Sequence, residues 1–403
     1  MPALAHPDES GAAACNDSMP RPKPAPAPGS NAAGAANSRA RRGLLRWFST
    51  HKRPLPWRAS RDAYSVWVSE VMLQQTQIAT VVPYYRRFLS VFPSVDDLAR
   101  APLESVLQLW SGLGYYKRAR QLHGAAQTLV EKFQGIFPAT LDAARQLPGV
   151  GGYTAAAVLS IAYGLPLPAL DGNVARVISR LDALPGSLAD PAFRRAVEAK
   201  LAGLFAGRRS GWHPGDLNQA LMELGQTICS PKAPICPVCP LHSFCRARAS
   251  GSPEAFPSPR PRRATEAHHL AAAVILNPTD GRLKRRGGVN GDCSMLLARG
   301  LDDSLMADLW NFPSAFGAST EEARRRLEAK LAGLCGGPAS IGLEIARVRH
   351  NVTYRQIQVR IYRASLPNTP SEGFRWLHAS QFSRAAVSQL ARKIAEASSA
   401  ALN

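Results

Sequence analysis

Four of the seven cysteines in this 403-residue chain, Cys229, Cys236, Cys239 and Cys245, fall within seventeen positions. Their spacing is C-x6-C-x2-C-x5-C. Thiolates this close in sequence hold a metal centre, either zinc or a 4Fe–4S cluster. A zinc site of two C-x2-C knuckles needs a second short pair, which the x6 and x5 gaps do not supply, so the spacing favours iron–sulfur. His242 is a rival ligand that four thiolates make unnecessary, and Cys15, Cys293 and Cys335 read as structural or incidental. A second group is Leu147-Pro148-Gly149-Val150-Gly151-Gly152-Tyr153-Thr154. Pro148 stops one helix, and the glycines permit positive φ and close backbone approach before the next begins. The amides of Gly149 and Gly151 then face solvent beside a helix N-terminus, a seat for a backbone phosphate. A tight helix–helix turn is the plain alternative. Leu170-Asp171-Gly172-Asn173 follows. Glu70, in Ser69-Glu70-Val71-Met72-Leu73-Gln74-Gln75-Thr76, lies off the Trp67, Val68, Val71 stripe, and by position alone reads as an exposed helical glutamate.

Helices must carry most of these groups. Tyr64, Trp67, Val68, Val71 and Met72 keep helical spacing, and further runs at 79–92, 103–111, 115–134, 153–163, 173–183, 191–206 and 216–228 are punctuated by Pro and Gly. Residues 1–38 hold 11 Ala, 7 Pro and 3 Gly and read as a disordered tail. Pro253, Pro257, Pro259 and Pro261 mark residues 248–268 as an extended linker. After it, Leu270–Leu276 and Met295–Ala298 read as strands that pair. Ile357, Val359 and Ile361 alternate as in a half-buried strand, and Ser319 with Glu322 forms a capping box. Residues 269–400 are therefore a separate α+β domain.

The net charge is +20, with 25 basic and 13 acidic residues in 39–247. That surplus predicts an anionic partner, most simply nucleic acid. Hydrophobic residues make up 45%, which excludes wholesale disorder. No run of 18 uncharged apolar residues or secretory h-region is present, so the expectation is a cytoplasmic protein without a membrane partner.

The cysteine spacing resembles the cluster loop of the endonuclease III superfamily, and the glycine hairpin followed by Asp171 resembles the helix–hairpin–helix DNA glycosylases. In the endonuclease III branch a Lys after L-P-G-V-G-x forms a Schiff base. Tyr153 stands there, and a phenol cannot, so lyase chemistry is not expected. The string around Glu70, with Leu55-Pro56-Trp57-Arg58 before it and Gly112-Leu113-Gly114-Tyr115-Tyr116 after it, resembles the MutY family of adenine DNA glycosylases from about residue 39 to 245. The fold so implied is an all-α helix–hairpin–helix glycosylase core with a 4Fe–4S cluster loop, followed by an α+β Nudix-like domain. The core divides into a six-helix part at 66–164 and a cluster-bearing part at 39–65 and 165–247.

The resemblance implies a monofunctional enzyme that removes adenine mispaired with 8-oxoguanine or guanine in duplex DNA, acts as a monomer and carries one 4Fe–4S cluster. Glu70 is then the acid for adenine N7 and Asp171 the stabiliser or transient nucleophile for the oxocarbenium-like sugar, a two-carboxylate arrangement. Tyr153 bonds to Asp171 and Asn173 places water. Arg58 touches the extruded adenine. Gln75, Thr76, Leu113 and Tyr115 contact DNA, with Gln75 and Tyr115 filling the gap. Leu309-Trp310-Asn311-Phe312-Pro313 resembles the Nudix-like domain of that family. Glu321, Glu322 and Glu328 lack the R-E-x-x-E-E arrangement, so no pyrophosphatase activity is expected. The family's lesion-reading Phe-Ser-His loop is Val352-Thr353-Tyr354 here, with Thr353 retaining a hydroxyl and Tyr354 a hydrogen-bonding ring. Two alternatives are an endonuclease III-like glycosylase/lyase on oxidised pyrimidines and a non-enzymatic iron–sulfur DNA-binding protein.

Overall fold

The computed structural model describes residues 30–207, 211–259, 264–278, 294–299, 309–352, 354–368, 373–382 and 385–402. Among them, no strand precedes residue 266. Two apolar cores organise the helical part. The first is built around the fully buried Trp67, Phe88 and Trp110. The second gathers Leu44 and Phe48 with Val174, Ile178, Leu201, Leu217 and Leu221. The Gly152–Tyr163 helix separates them. Its Ala155, Val158 and Leu159 face the first core, and Ala156 and Ala157 the second. An element buried on both sides is apolar all round, as this helix is.

Two stretches differ from their reading by composition. A helix runs from Ser30 to His51, so it begins inside the expected tail of residues 1–38. Ala40, Leu44 and Phe48 anchor it in the second core, and Arg41 donates to the carbonyls of Leu204 at 2.8 Å and Ala206 at 2.7 Å. An anchored helix extends cheaply backwards through alanines, because each added residue needs no new nucleus. Residues 1–29 lie outside the described residues. The expected linker 248–268 is docked over its first part. Arg180 Nε donates to Phe256 O at 2.9 Å, and Gly186 and Ser258 exchange two hydrogen bonds, at 2.8 and 2.9 Å. Proline content alone does not reveal that the Phe256 carbonyl meets a buried arginine.

The α+β part has strands β1 Glu266–Val274, β2 Ser294–Ala298, β3 Ser314–Gly317, β4 Ser340–Val352, β5 Arg355–Ser365 and β6 Phe374–His378. One sheet has the order β3-β1-β5-β4, with β1 parallel to β5 and the other pairs antiparallel. Leu270, Ala272 and Val274 of β1 point to one cluster, and Ala271 and Ala273 to another. Helices Thr320–Cys335 and Gln389–Leu402 supply side chains to these two clusters, which is why β1 is a continuous apolar run rather than an alternation. β2 pairs along its length with β6, and meets the expected Leu270–Leu276 run at its end, through the Leu276–Met295 bridge. Ser319 caps its helix through Glu322 N at 3.2 Å, while Glu322 returns to the amide of Ala318 rather than to the cap's own.

The two parts share a seam. Leu309 and Ala386 bury into the first helical core. Glu104 Oε1 accepts from Trp310 Nε1 at 3.2 Å and its carboxylate pairs with Arg299 and Arg375. Ser111 Oγ donates to Val387 O at 2.9 Å and accepts from Arg392 at 2.9 Å. No described helix is long and apolar enough to cross a membrane.

Candidate active site

Glu70 sits on the Ala63–Leu73 helix, which starts where Asp62 accepts from Ser65 N at 2.7 Å. That helix packs against the Gly152–Tyr163 helix, and eight of its residues, Glu70 included, are buried. Glu70 is 6% exposed, unlike the surface glutamate that its position alone would suggest. Periodicity marks the apolar stripe but does not show that a second helix covers the other side.

Burial raises the Glu70 carboxyl to about 7. The bond from Tyr153 and the charge of Arg58 pull it down, and the negative charge of Asp171 pushes it up. Tyr153 Oη donates to Glu70 Oε2 at 2.8 Å. This corrects the expectation that Tyr153 bonds to Asp171. The phenol is held protonated, its titration raised well above the usual range by burial and by both carboxylates.

Asp171 caps the Gly172–Asp182 helix. Its Oδ1 accepts from Val174 N at 2.6 Å, and its Oδ2 accepts from Asn173 Nδ2 at 2.9 Å. Asn173 Oδ1 in turn accepts from Arg176 at 2.9 Å. Arg176 Nε donates to the carbonyl of Cys229 at 2.8 Å, and its other arm to Gly225 O at 2.7 Å. Two side chains thus join the first cysteine of the quartet to the Asp171 carboxylate. Gly225 makes the crossing possible, since a Cβ there would stand 2.8 Å from that of Asn173.

Arg58 does not reach freely into the site. Its guanidinium is held by Glu223 Oε2 at 2.8 Å, Gln219 Oε1 at 3.1 Å and Arg53 O at 3.1 Å, and lies 5.2 Å over the Phe48 ring. Glu223 is 1% exposed, also pairs with Arg53 at 2.6 Å, and stays ionised because both arginines outweigh its burial. Glu223, Gln219 and Arg176 were not found by motif. The available signal was the polar spacing 219, 223, 226 on one face of the Pro214–Thr227 helix.

The hairpin forms as expected, with two differences in detail. Gly149 has φ +74°, and a Cβ there would stand 2.7 Å from Gln121. Gly151 has φ −83°, so its value lies in open space: nothing would meet a Cβ within 4 Å. Gln75 and Tyr115 are exposed, whereas Thr76 is bonded to Arg118 at 3.1 Å. Leu113, expected to contact DNA, is instead 5% exposed in the first core. The positive φ of Gly112 and Gly114 on either side turns it inward and leaves Tyr115 outside. Tyr115 and Tyr354 line one cavity of about 480 Å³ between the Gly112–Tyr116 turn and the end of β4. Val352 lines it too and packs on the sheet core, and Thr353 lies outside the described residues.

Cys229, Cys236, Cys239 and Cys245 are unpaired thiols lining one small cavity with Arg180. Arg180 donates to Cys229 Sγ at 3.4 Å and to the carbonyls of Ser230 and Pro231. Among the described residues no three His, Cys, Asp or Glu groups converge as one metal ion needs. Burial pushes the Cys239 thiol up to about 11, so four thiolates here call for a cationic centre between them. The donor set fits an iron–sulfur cluster. His242 is exposed, with Nδ1 3.0 Å from Cys239 O.

A glycine hairpin on an all-helical scaffold, two carboxylates in reach of each other's charge and a thiol quartet together define a base-excision DNA glycosylase. Residues 68–202 match the family described as HhH-GPD superfamily base excision DNA repair protein. The adenine DNA glycosylase of Mus musculus is 36% identical over 407 residues, covering 88% of this chain and 76% of that one. That of Homo sapiens is 36% identical over 411 residues, covering 88% and 73%. Among solved structures, a thermostable thymine-DNA glycosylase is 26% identical with a TM-score of 0.48, over 55% of this chain and 99% of that chain. The chain belongs to the adenine DNA glycosylase family.

Proposed function

We propose that this enzyme hydrolyses the N-glycosidic bond of adenine opposite 8-oxoguanine or guanine in duplex DNA, leaving the strand intact. The observation that carries this reading is a buried carboxyl, Glu70, 6% exposed and bonded by the Tyr153 hydroxyl at 2.8 Å, which burial pushes up to about 7. Adenine leaves poorly unless N7 is protonated, and an acid titrating near neutrality is suited to that transfer. Glu70 Oε2 is taken by the Tyr153 hydroxyl, so Oε1 carries the proton that is delivered. As the base departs, Asp171 faces the positive sugar, and Asn173 fixes its orientation and the approaching water. Arg58, oriented by Glu223, touches the extruded adenine, and Gln75 and Tyr115 fill the gap that the base leaves. Tyr153 offers no amine for a Schiff base, so strand cleavage is not part of the reaction.

The deciding assay uses a labelled A:8-oxoguanine duplex resolved on a denaturing gel with and without alkali. Adenine should be released while the strand stays whole until alkali is added. Equal cleavage without alkali, trapped by borohydride, would overturn the monofunctional reading.

Cys229, Cys236, Cys239 and Cys245 would hold one 4Fe–4S cluster, which supplies a structural brace for the loop that Arg176 and Arg180 grip. Purified protein should be brown with about four irons per chain. Cys236→Ser should damage folding and DNA binding before it alters chemistry. Active, colourless protein with one zinc would exclude the cluster.

A further inference from the structure

Arg118 binds two separate turns at once. It lies near the start of the Lys117–Phe133 helix and is 7% exposed. One guanidinium nitrogen donates to the carbonyls of Val71 at 3.0 Å, Met72 at 2.8 Å and Gln74. The other donates to Thr76 Oγ1 at 3.1 Å and Gly114 O at 3.1 Å. Its Cζ lies 5.5 Å from the centre of the Trp110 ring and 5.2 Å from that of Tyr115. Its acceptors therefore belong to the end of the Glu70 helix, whose last carbonyls have no intrahelical donor, and to the Gly112–Tyr116 turn. Each turn contains one exposed non-glycine residue in the left-handed region, Gln75 at φ +56° and Tyr115 at φ +49°. Such conformations persist only where the surroundings over-determine them.

We propose that Arg118 is the positioning residue that locks Gln75 and Tyr115 into one rigid two-pronged wedge for entry into the duplex. This rests on the reading that those two side chains fill the gap beside the extruded adenine. Arg118 makes no hydrogen bond to Glu70 or Asp171. Its role is in opening the stack rather than in breaking the glycosidic bond. Lysine keeps the charge but is a point donor without the planar fork, so it cannot span both turns.

The test uses full-length protein and a duplex with 2-aminopurine beside the mispaired adenine, which brightens as the stack opens. Wild type should brighten and then excise. Arg118→Lys should slow both steps together by about tenfold or more, the scale of leaving buried acceptors unpaired. The pH midpoint of single-turnover excision should not move. On a duplex whose adenine faces an abasic site, already unstacked, the loss should shrink to about twofold, and in a Tyr115→Ser background Arg118→Lys should add no more than that. Thr76→Val, which removes one acceptor, should repeat the pattern at smaller size if the arginine variant folds poorly. Equal losses on both substrates, a shifted midpoint, additivity with Tyr115→Ser or unchanged unstacking would each overturn the role of Arg118. Excision by wild type without brightening would instead overturn the extrusion reading, and the proposal with it.

Discussion

Replacing Glu70 with Gln should lower adenine excision by roughly 10²–10⁴-fold, the usual worth of a positioned general acid, while binding to the mispaired duplex survives. Gln keeps the shape and can still accept the Tyr153 hydroxyl, so the loss is that of the proton. Wild-type excision should be highest below pH 7 and fall about tenfold per pH unit above it, because the acid titrates near 7 and must be protonated to act. Glu70→Gln should lose that falling limb. Stability should follow the same group. The folded carboxyl titrates above its ordinary value, so between about 4.5 and about 7 the native state binds the extra proton, and stability falls as pH rises through that window. The Gln variant should therefore melt higher than wild type at pH 8. Single-turnover rates and gel shifts on one preparation check all of this, and near-normal excision by Glu70→Gln would remove Glu70 as the acid.

Asp171→Asn should cost excision roughly 10²–10³-fold, as loss of a preorganised electrostatic stabiliser does. The cost is chemical, because Asn caps a helix as well as Asp does and can still accept from Val174 N. Combined with Glu70→Gln, the loss should fall far short of the product of the two, since both groups serve one transition state. A folded Asp171→Asn protein that excises at the wild-type rate, or a fully multiplicative double variant, would show that the two carboxylates do not act together.

What the sequence determined by itself is local. The thiol quartet lies within one loop. The hairpin is a run of glycines between two helical patterns. Asp171 follows the hairpin two positions before Asn173, and the apolar run of β1 and the alternation of β5 declare their own strands. Such features depend on neighbours a few residues away, so spacing and residue type are enough to read them, and the family resemblance follows from the same strings.

The tertiary structure decided what depends on an opposing surface. Glu70 is an ordinary helical glutamate until the Gly152–Tyr163 helix covers it, and that desolvation, helped by the charge of Asp171, raises its titration toward 7. Tyr153 reaches Glu70 rather than Asp171 because of where its helix crosses, 83 residues along the chain. Leu113 turns inward and Tyr115 outward by a choice of backbone region that neither residue type announces. Arg58, Arg118 and Arg176 are three among many arginines in composition, yet each is defined by carboxylates or carbonyls brought from distant turns and helices. A buried charge or donor takes its properties from whichever groups replace water around it, and those groups are chosen by packing rather than by sequence distance.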